Sequence, residues 1–395
     1  MSRICITGMG VISAIGNSVA ENHMSLMQGK CGISHETTLS SKYAGLLPFG
    51  AILFSDKTLK DRLSVNGQPV TRTTLLALHA FKEAIDDAQL TASEITATDT
   101  ALIGATTVGG MCLMDELYRD ANSDKASVYA ASYDCASVNM FLQKRYQMNG
   151  IVNTINTACS SSANAIMYGA RLIRNGLAKR VIVGGVDSLS KFTINGFNAL
   201  HILSDEYCRP FDQQRKGLNL GEGAAFLVLE KEEDVKDKKV YAYLCGYCNS
   251  TDAFHPSSLS ENGEGPYASM KGALETAGLE KEQIGFINAH GTGTENNDEV
   301  ESTAMLRLFA RPPAFASTKS NTGHTLGASG AIEAVYSILN LVHQEIYPAL
   351  HFTEPIISTG LVPVQAYTKK EITHVMSNSF GFGGNCTSLI FSKTC

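Results

Sequence analysis

Long stretches of apolar and small residues recur along the chain, without the regular polar alternation that marks a half-exposed strand. Such stretches are typical of strands covered on both faces of a sheet, because neither face then requires polar side chains. The sequence therefore predicts buried strands at residues 3–12, 100–110, 180–190, 224–231, 286–294 and 374–384.

Helical patterns lie between these strands. In them, apolar residues recur every three or four positions, which places them on one face of a helix. We expect helices at residues 73–88, 163–176, 265–278 and 330–344. Strands that alternate with helices indicate an α/β protein, and the same alternation predicts a largely parallel sheet.

The order of elements repeats at long range. Each half contains a glycine-bearing strand, a small-residue turn that enters a helix, and a second glycine-bearing strand. The halves match in the order and type of element rather than in residue identity. The charged segment "EKEEDVKDKK" at 230–239 is the expected junction. The sequence thus predicts two halves, residues 1–235 and 236–395.

Composition and charge exclude several classes of protein. Of the 395 residues, 44% are hydrophobic and 18% are charged, which indicates a globular chain. The net charge of −6 argues against general nucleic-acid binding. The chain has no run of about 18 apolar residues and no signal-peptide pattern, so we expect no membrane span and a cytoplasmic location. The ten cysteines are then expected to be thiols.

One of these cysteines lies where a strand turns into a helix, in "NTINTACSSSANAIMYGARLI", residues 153–173. A thiol at a helix N-terminus feels the positive end of the helix dipole, which predicts a lowered pKa for Cys159. The small neighbouring residues leave room for a substrate, and the N–H groups of the turn are suited to hold an oxyanion. The alternative is a buried structural cysteine, which packs as a small apolar residue.

Two histidine segments favour the catalytic interpretation. "INAHGTGTENNDEVES" places His290 at the end of a predicted strand, and "STKSNTGHTLGASGAIEA" places Lys319, His324 and Glu333 in a glycine-rich passage into a helix. Residues at strand exits suit ligand binding at the carboxyl edge of a sheet. A cysteine with two histidines is a plausible nucleophile with acid–base or oxyanion partners.

A metal site is the competing interpretation, with His290, His324 and Asp298 as ligands. Helix capping accounts for Asp298 and Glu301 more simply, since both lie at the start of an apparent helix. The Cys-x-x-Cys segment at 245–248 lacks the second ligand pair that zinc requires. We therefore predict no metal.

At this point the motifs match a known family along essentially the whole chain. The chain resembles the β-ketoacyl-acyl-carrier-protein synthases, the elongating condensing enzymes of the thiolase fold. The matching motifs are "ITGMGVISAIG", "TACSSSANAI", "RPFDQQRKGLNLGEGAAFLVLE", "NAHGTGT", "STKSNTGHTLGASGAIEA" and "NSFGFGGNC".

The resemblance implies an α/β thiolase-like fold in which duplicated halves form a five-layered α-β-α-β-α sandwich. The N-terminal half would carry the nucleophilic cysteine, and the C-terminal half both catalytic histidines. Members of this family act on acyl carrier protein, so acyl- and malonyl-loaded carrier are the expected partners. The resemblance also implies a homodimer, or a heterodimer with a ketosynthase-like chain-length subunit.

The catalytic residues of the family fall on Cys159, His290, His324, Lys319 and Glu333. Relatives that start from coenzyme A thioesters carry Asn in place of the second histidine, whereas this chain carries His324. Thiolases carry a second catalytic cysteine where this chain reads "GFGGN", so thiolase is disfavoured. The resemblance implies no cofactor beyond the 4′-phosphopantetheine that the carrier protein holds.

The resemblance also implies an oxyanion hole and a substrate pocket. The N–H groups of Cys159 and Phe382 would form the oxyanion hole, and Thr292 and Thr294 would bond the pantetheine arm. The other substrate-binding positions are Val108, Phe197, Phe380 and Gly381. The chain departs from many relatives in two places. Asn297–Asp298 stands in place of Gly-Asp, and His201 stands where an arginine often helps to gate carrier binding.

The implied reaction is a decarboxylative Claisen condensation, in which an acyl chain on Cys159 reacts with malonyl-carrier protein in fatty acid, polyene or polyketide elongation. The motif "TACSSSANAI" favours the specialised polyene and polyketide branch. A non-catalytic chain-length subunit of the same fold is the alternative, but such subunits usually lose the nucleophile. A cysteine hydrolase is a third interpretation, and it predicts no carbon–carbon bond formation.

Overall fold

The computed structural model describes residues 3–37, 39, 41–68, 70–113, 132–235 and 238–394. Within these ranges the strands are β1 Ile4–Ile12, β2 Thr100–Ala105, β3 Val152–Ile155, β4 Arg180–Asp187, β5 Gly223–Lys231, β6 Ala242–Thr251, β7 Phe286–Asn288, β8 Ala314–Ala316, β9 Glu345–Ile346, β10 Thr368–Lys369, β11 His374–Gly381 and β12 Asn385–Ser392. The helices are α1 Val19–Met27, α2 Asp56–Leu63, α3 Arg72–Asp87, α4 Ala92–Thr96, α5 Ser137–Tyr146, α6 Ser161–Arg174, α7 Lys191–Ala199, α8 Glu264–Ala277, α9 Glu295–Phe309, α10 Lys319–Thr322 and α11 Ser329–His343.

Ten strands form one hydrogen-bonded series in the order β3-β2-β4-β5-β1-β6-β12-β11-β7-β8, and β9 pairs with β10 separately. The series consists of two sets of five. From the outer edge inwards they read β3-β2-β4-β5-β1 and β8-β7-β11-β12-β6. Numbered along the chain within its own set, each reads third, second, fourth, fifth and first strand, so the two sets have the same order. The predicted duplication is therefore confirmed in the strand order. The exact division at residue 235 stays a prediction.

Helices cover the two sets of strands in layers. Helix α3 packs on β1 and β5 at one outer face, and α8 packs on β6 and β12 at the other. Between the sets, α6 packs on β4 and β2, while α11 packs on both β11 and β5. Because α11 contacts both sets of strands, it is buried along nearly its whole length. The result is the expected α-β-α-β-α sandwich, with α6 and α11 in its central layer.

The prediction of a largely parallel sheet is wrong. Parallel pairs join β2 to β3 and β4, and β7 to β8 and β11, while the other five pairings of the series are antiparallel. A strand covered by helices on both faces is apolar throughout in either direction, so the apolar runs carried no information on polarity. The three-residue link Phe382–Gly384 between β11 and β12 permits only an antiparallel pair.

The long predicted elements agree closely with the structure. Helices α3, α6, α8 and α11 begin and end within two residues of the predicted ranges, and each predicted strand is present. The predicted strand at 286–294 is shorter than expected, because β7 ends at Asn288 and the following residues form a loop that carries His290. Strands β6, β8, β9, β10 and β12 were not predicted, nor were α1, α2, α4, α5, α7 and α10, and β3 was expected only as a β-rich run before Cys159. Strand β3 is only partly buried at the edge of the series, so its sequence lacks a strong apolar run.

Two further expectations concern the cysteines and the membrane. Among the described residues, the free thiols are Cys5, Cys31, Cys135, Cys159, Cys208, Cys248 and Cys386. Cys245 is disulfide-bonded, so the expectation that all ten cysteines are thiols is wrong for this residue. None of the described helices combines the length and the apolar character needed to cross a membrane.

Candidate active site

Cys159 lies in the sharp turn between β3 and α6. The preceding residue, Ala158, has a left-handed backbone with φ of 53°, a conformation that non-glycine residues seldom adopt. The turn is held by the N–H of Thr157, which donates to Ser161 Oγ at 2.8 Å. Only 5% of Cys159 is exposed, yet its side chain lines a cleft. The strained turn thus presents one thiol at the N-terminal end of a buried helix.

His324 contacts this thiol directly, with 3.1 Å between Nε2 and Cys159 Sγ. Its other ring nitrogen, Nδ1, accepts a hydrogen bond of 3.2 Å from the N–H of Leu326. A backbone N–H can only donate, so Nδ1 is unprotonated and the ring proton is at Nε2. Burial, followed by the charge of Lys319, lowers the pKa of His324 well below its usual value. His324 is therefore a neutral imidazole that donates from Nε2 towards the thiol.

The same tautomer is imposed on His290 by Lys319. The Lys319 ammonium donates to the backbone oxygen of His290 at 2.5 Å and lies 3.3 Å from His290 Nδ1. Because an ammonium has no lone pair, Nδ1 accepts and the proton is at Nε2. Burial, then Lys319 and His324, lower the pKa of His290 well below its usual value. The two rings lie nearly perpendicular, 5.4 Å apart, and both line the cleft.

Lys319 is itself held by an ion pair with Glu333, the fifth residue of α11. Their side chains are only 2% and 3% exposed. Burial raises the pKa of Glu333 to about 7, and Lys319 opposes this rise. Removing one partner of such a pair leaves an unpaired buried charge, which costs about 3–5 kcal/mol. Glu333 thus fixes a positive charge behind His290 and does not line the cleft.

The pKa of Cys159 differs from the sequence expectation. Burial raises the pKa of the Cys159 thiol to about 11, while Lys319 and the N–H groups of Phe382 and Cys159 act to lower it. The helix terminus stabilises a charge by only about 0.3–1 kcal/mol, which is less than the desolvation of a fully buried thiolate costs. The predicted lowering is therefore wrong, and the resting nucleophile is a neutral thiol.

This shift predicts a pH dependence for the chemical reactivity of Cys159. Because only the thiolate attacks, alkylation by iodoacetamide is expected to accelerate roughly tenfold per unit between about pH 7 and 10. Peptide mass spectrometry after timed quenching separates Cys159 from the partly exposed Cys31 and Cys248, which serve as internal controls. A rate that levels off below about pH 8 would mean that the helix terminus and the N–H donors outweigh burial.

Two buried carboxylates shape the loop that carries His290, and sequence reasoning missed this role. Glu301 accepts from the N–H groups of His290 and Gly291 at 2.9 and 2.8 Å. Asp298 accepts from the N–H groups of Phe211, Thr292 and Gly293. Neither carboxylate caps α9, so the helix-capping interpretation is wrong. Their three-residue spacing on α9, which places both on one face, was the available signal.

The metal interpretation with Asp298 as a ligand is also wrong, because its carboxylate is bound to these backbone groups. Sγ of Cys159 does lie within 4.8 Å of a ring nitrogen of His290 and of His324. In both rings, however, the nitrogen that faces the cleft carries the proton, and Lys319 places a positive charge beside His290. A metal needs a lone pair at each of these nitrogens. The donor set is suited to hydrogen bonding rather than to metal binding.

The cleft above Cys159 has a volume of about 390 Å³ and contains most of the predicted substrate-binding residues. Thr292 and Thr294 lie together in its wall, with their hydroxyl oxygens 2.8 Å apart. The rings of Phe197 and Phe382 stack at 5.8 Å, and Phe380 lies 5.7 Å from the His290 ring. His201 and Lys216, on the same wall, add polar groups that sequence reasoning did not place in the pocket.

Gly381 and Val108 differ in how they relate to the cleft. A Cβ atom on Gly381 would lie 2.6 Å from the Thr157 oxygen and 3.2 Å from the Cys159 nitrogen, so only glycine permits this approach. Val108 is 3% exposed and does not line the cleft. It lies in the adjoining apolar cluster, against which Phe197 packs. The prediction for Val108 therefore requires a pocket that extends past Phe197.

Two neutral imidazoles, a lysine and two backbone N–H groups lie beside a buried cysteine. Within an α-β-α-β-α sandwich, this arrangement is typical of an acyl-transferring enzyme of the thiolase fold. Comparison with known families agrees. Residues 1–235 match the β-ketoacyl synthase N-terminal domain, and residues 241–353 match the β-ketoacyl synthase C-terminal domain. The chain belongs to the β-ketoacyl synthase family and is a ketosynthase acyltransferase.

Individual relatives cover the whole chain. The chain is 33% identical to 3-oxoacyl-[acyl-carrier-protein] synthase 2 of Vibrio cholerae over 417 residues, which span 99% of each protein. A ketosynthase in complex with its chain length factor from Xenorhabdus doucetiae is 32% identical, with a TM-score of 0.88 over 99% of this chain and 98% of that one. The ishigamide ketosynthase/chain length factor is 29% identical, with a TM-score of 0.91 over 99% of both.

Proposed function

We propose that this chain joins an acyl group held on Cys159 to malonyl-acyl carrier protein and releases β-ketoacyl-acyl carrier protein and carbon dioxide. The coarser statement, a condensing enzyme of fatty acid or polyketide chain elongation, follows from its family. The observation that carries the finer proposal is the contact of 3.1 Å between Cys159 Sγ and His324 Nε2, beside a second neutral imidazole.

The first step is acyl transfer from the carrier to Cys159. Sγ attacks the thioester carbonyl, the new S–C bond forms, and the bond to the phosphopantetheine sulfur breaks. The thiol proton ends on that leaving sulfur. The N–H groups of Cys159 and Phe382 act to lower the pKa of the Cys159 thiol, so they would also bind the oxyanion of the intermediate. The glycine at 381 lets the second of these donors approach the nucleophile.

The second step is decarboxylation of the malonyl group. The bond between its α-carbon and its carboxylate breaks, carbon dioxide leaves, and negative charge moves to the thioester oxygen. The Nε2–H groups of His290 and His324 both face this part of the cleft and would donate to that oxygen. One such preorganised donor contributes roughly 3 kcal/mol to a transition state. Two neutral donors suit this step, because neither surrenders a proton to the enolate.

The third step is attack of the malonyl α-carbon on acyl-Cys159. A carbon–carbon bond forms, the S–C bond to Cys159 breaks, and the released thiolate takes a proton from solvent. Thr292 and Thr294 would bond the pantetheine arm of the carrier. Phe197, Phe380 and Phe382 would enclose the acyl chain near the thioester. The phosphopantetheine belongs to the carrier, and the chain's own residues supply the other groups used in these steps.

The setting is proposed to be polyene or polyketide elongation with a ketosynthase-like chain-length subunit as partner. The support is the likeness to two solved structures of a ketosynthase with a chain length factor. A non-catalytic role for this chain itself is the alternative. The presence of Cys159, His290, His324 and Lys319 in hydrogen-bonding contact disfavours it, since a purely structural subunit needs none of them.

The test is mass spectrometry of the purified chain after mixing with acyl carrier proteins of graded chain length and unsaturation, then with malonyl-carrier protein. Each mixture is run with the chain alone and with a candidate chain-length subunit. We expect a mass gain on Cys159 that is discharged as β-ketoacyl-carrier product, and the best-loading chain identifies the pathway. If no chain loads under either condition, the enzyme proposal is wrong and the structural alternative stands.

A further inference from the structure

The ends of three parallel strands meet beside the catalytic cysteine. Strand β3 leads into the turn that carries Cys159, and β4 ends at Asp187. Strand β2 pairs in parallel with both β3 and β4, so the carboxyl ends of all three lie at one edge of the sheet. Asp187 is fully buried at this edge, and none of the reaction steps proposed above uses its carboxylate.

The Asp187 carboxylate accepts hydrogen bonds from two separate loops. Its Oδ1 accepts from the Thr106 hydroxyl at 2.7 Å and from the N–H of Val108 at 3.1 Å. The N–H of Thr107 donates to Oδ2 at 2.9 Å, and the N–H of Gly327 donates to the same oxygen at 2.7 Å. Burial raises the pKa of Asp187, and these hydrogen bonds act to lower it. Because a backbone N–H can only donate, the arrangement fits the ionised carboxylate.

We propose that Asp187 is a positioning residue of the condensation, which sets the contact between Cys159 and His324 by holding residues 106–108 between the nucleophile turn and the His324 loop. The inference rests on the reaction proposed above. Asp187 does not line the cleft, so it acts on the reacting atoms through other residues.

The first link runs to the nucleophile turn through Thr107. Its hydroxyl donates to the backbone oxygen of Ala158 at 3.2 Å, and its own backbone oxygen accepts from Asn156 Nδ2 at 3.1 Å. Ser161 also donates to the Ala158 oxygen, but Ser161 belongs to the helix that the turn enters. Thr107 comes from a different segment, so it fixes the strained turn, and with it the Cys159 thiol, relative to the sheet.

The second link runs to His324 through Gly327. The residue before Gly327 is Leu326, whose N–H donates to His324 Nδ1 and thereby fixes the tautomer of the ring. A Cβ atom on Gly327 would lie 2.7 Å from Thr107 Oγ1 and 2.8 Å from Asp187 Oδ2, so only glycine permits this approach. Displacement of this loop would release the Leu326 N–H and free the His324 ring to take its other tautomer.

The charge and the position of Asp187 predict opposite effects on the thiol. Its negative charge acts to raise the pKa of Cys159. If charge alone mattered, a neutral amide in its place would favour the thiolate and speed acyl loading. A positioning role predicts slower loading, because the thiol and His324 would lose their alignment. The direction of the rate change therefore separates the two effects.

The experiment compares Asp187→Asn, Thr107→Val and Thr107→Ser in the full chain, at a temperature where all are folded. Asp187→Asn turns an amide donor towards backbone N–H groups, and we expect it to lower kcat for condensation roughly 100-fold with KM for both carriers unchanged. Thr107→Val keeps the shape and loses the hydroxyl, so it should slow acyl loading roughly tenfold. Thr107→Ser keeps the hydroxyl and should restore loading.

A second readout does not depend on the reaction. Nitrogen NMR spectra of isotope-labelled histidine rings report the tautomer of each ring, and His324→Ala and His290→Ala assign the two signals. The parent should show the Nε2–H form for both rings. Asp187→Asn is expected to give mixed tautomers in His324. His290 should keep its tautomer, because Lys319 fixes it independently of Asp187.

The matched control is Glu83→Gln, which alters a carboxylate outside the cleft that accepts from the N–H groups of Val11 and Val19 at 2.8 Å each. It should lower thermal stability and leave kcat and both rings unchanged. If Asp187→Asn behaves in the same way, the carboxylate only stabilises the fold and the proposal is wrong.

Two other results would also overturn the proposal. Faster loading in Asp187→Asn would assign its effect to charge. A lower kcat with an unaltered His324 ring would show that Asp187 does not act through the His324 loop. If the parent itself loads no acyl chain, the proposed condensation fails, and the ring spectra alone then decide the role of Asp187.

Discussion

Replacing Cys159 by alanine is expected to abolish acyl loading and to lower condensation by roughly 10⁶-fold, as loss of a catalytic nucleophile does elsewhere. Without Sγ no acyl-enzyme forms, and no other thiol replaces it at the N-terminus of α6. His290, His324 and Lys319 remain in place, so decarboxylation of malonyl-carrier protein should continue. Intact mass of the protein measures loading, and carbon dioxide release measures decarboxylation.

The control is Cys248→Ala, which removes a partly exposed thiol of β6 and should load and condense as the parent does. Thermal unfolding of both variants shows whether either change disturbs the fold. Condensation that persists in Cys159→Ala would assign the nucleophile to a different residue. Loss of decarboxylation together with condensation would show that the thiol also takes part in the malonyl step, contrary to the roles proposed for the two imidazoles.

Replacing His290 by alanine is expected to slow decarboxylation and to leave acyl loading intact, which is the opposite of the effect expected for Cys159→Ala. His290 lies beside His324 and makes no direct contact with Sγ, so acyl-Cys159 should form and accumulate. Loss of one of the two N–H donors to the enolate oxygen should slow decarboxylation roughly 10²–10³-fold. Stopped-time mass spectrometry of acyl-Cys159, with carbon dioxide release measured in parallel, follows both steps.

His324→Ala is the informative comparison, because His324 contacts Sγ at 3.1 Å and should therefore slow both loading and decarboxylation. His374→Ala, on β11 and outside the cleft, should change neither. If His290→Ala fails to load any acyl chain, the division of labour between the two histidines is wrong. If it decarboxylates malonyl-carrier protein at the parent rate, the enolate site must lie elsewhere in the cleft.

Local sequence patterns determined the elements that are long and strongly patterned. The four helices of the outer and central layers were predicted within two residues, because an apolar face repeats along three or four turns. The turn before α6 was visible as small residues between a β-rich run and a helical one, and it identified Cys159. The positions of His290, Lys319, His324 and Glu333 followed from motifs that each lie within a short segment.

Only the tertiary structure decided which of those residues contact one another and how those contacts set their protonation. Cys159 and His324 are 165 positions apart, and their contact at 3.1 Å depends on how α6 and α11 pack between the two sets of strands. The tautomers of both histidines come from Lys319 and from the N–H of Leu326, which no spacing in the sequence reveals. Burial, which only the packed fold creates, reversed the expected pKa shift of Cys159.

The sequence by itself determined the class of fold, the duplicated order of elements and the identity of the catalytic side chains, because local periodicity and short motifs indicate each of them. The tertiary structure alone decided the strand directions, the loop contacts of Asp298 and Glu301, and the contacts of Asp187 with two separate loops. These features join segments that are distant in the chain. Their contacts arise from the packing of whole layers, and a local pattern of residues does not predict which distant segments will lie beside it.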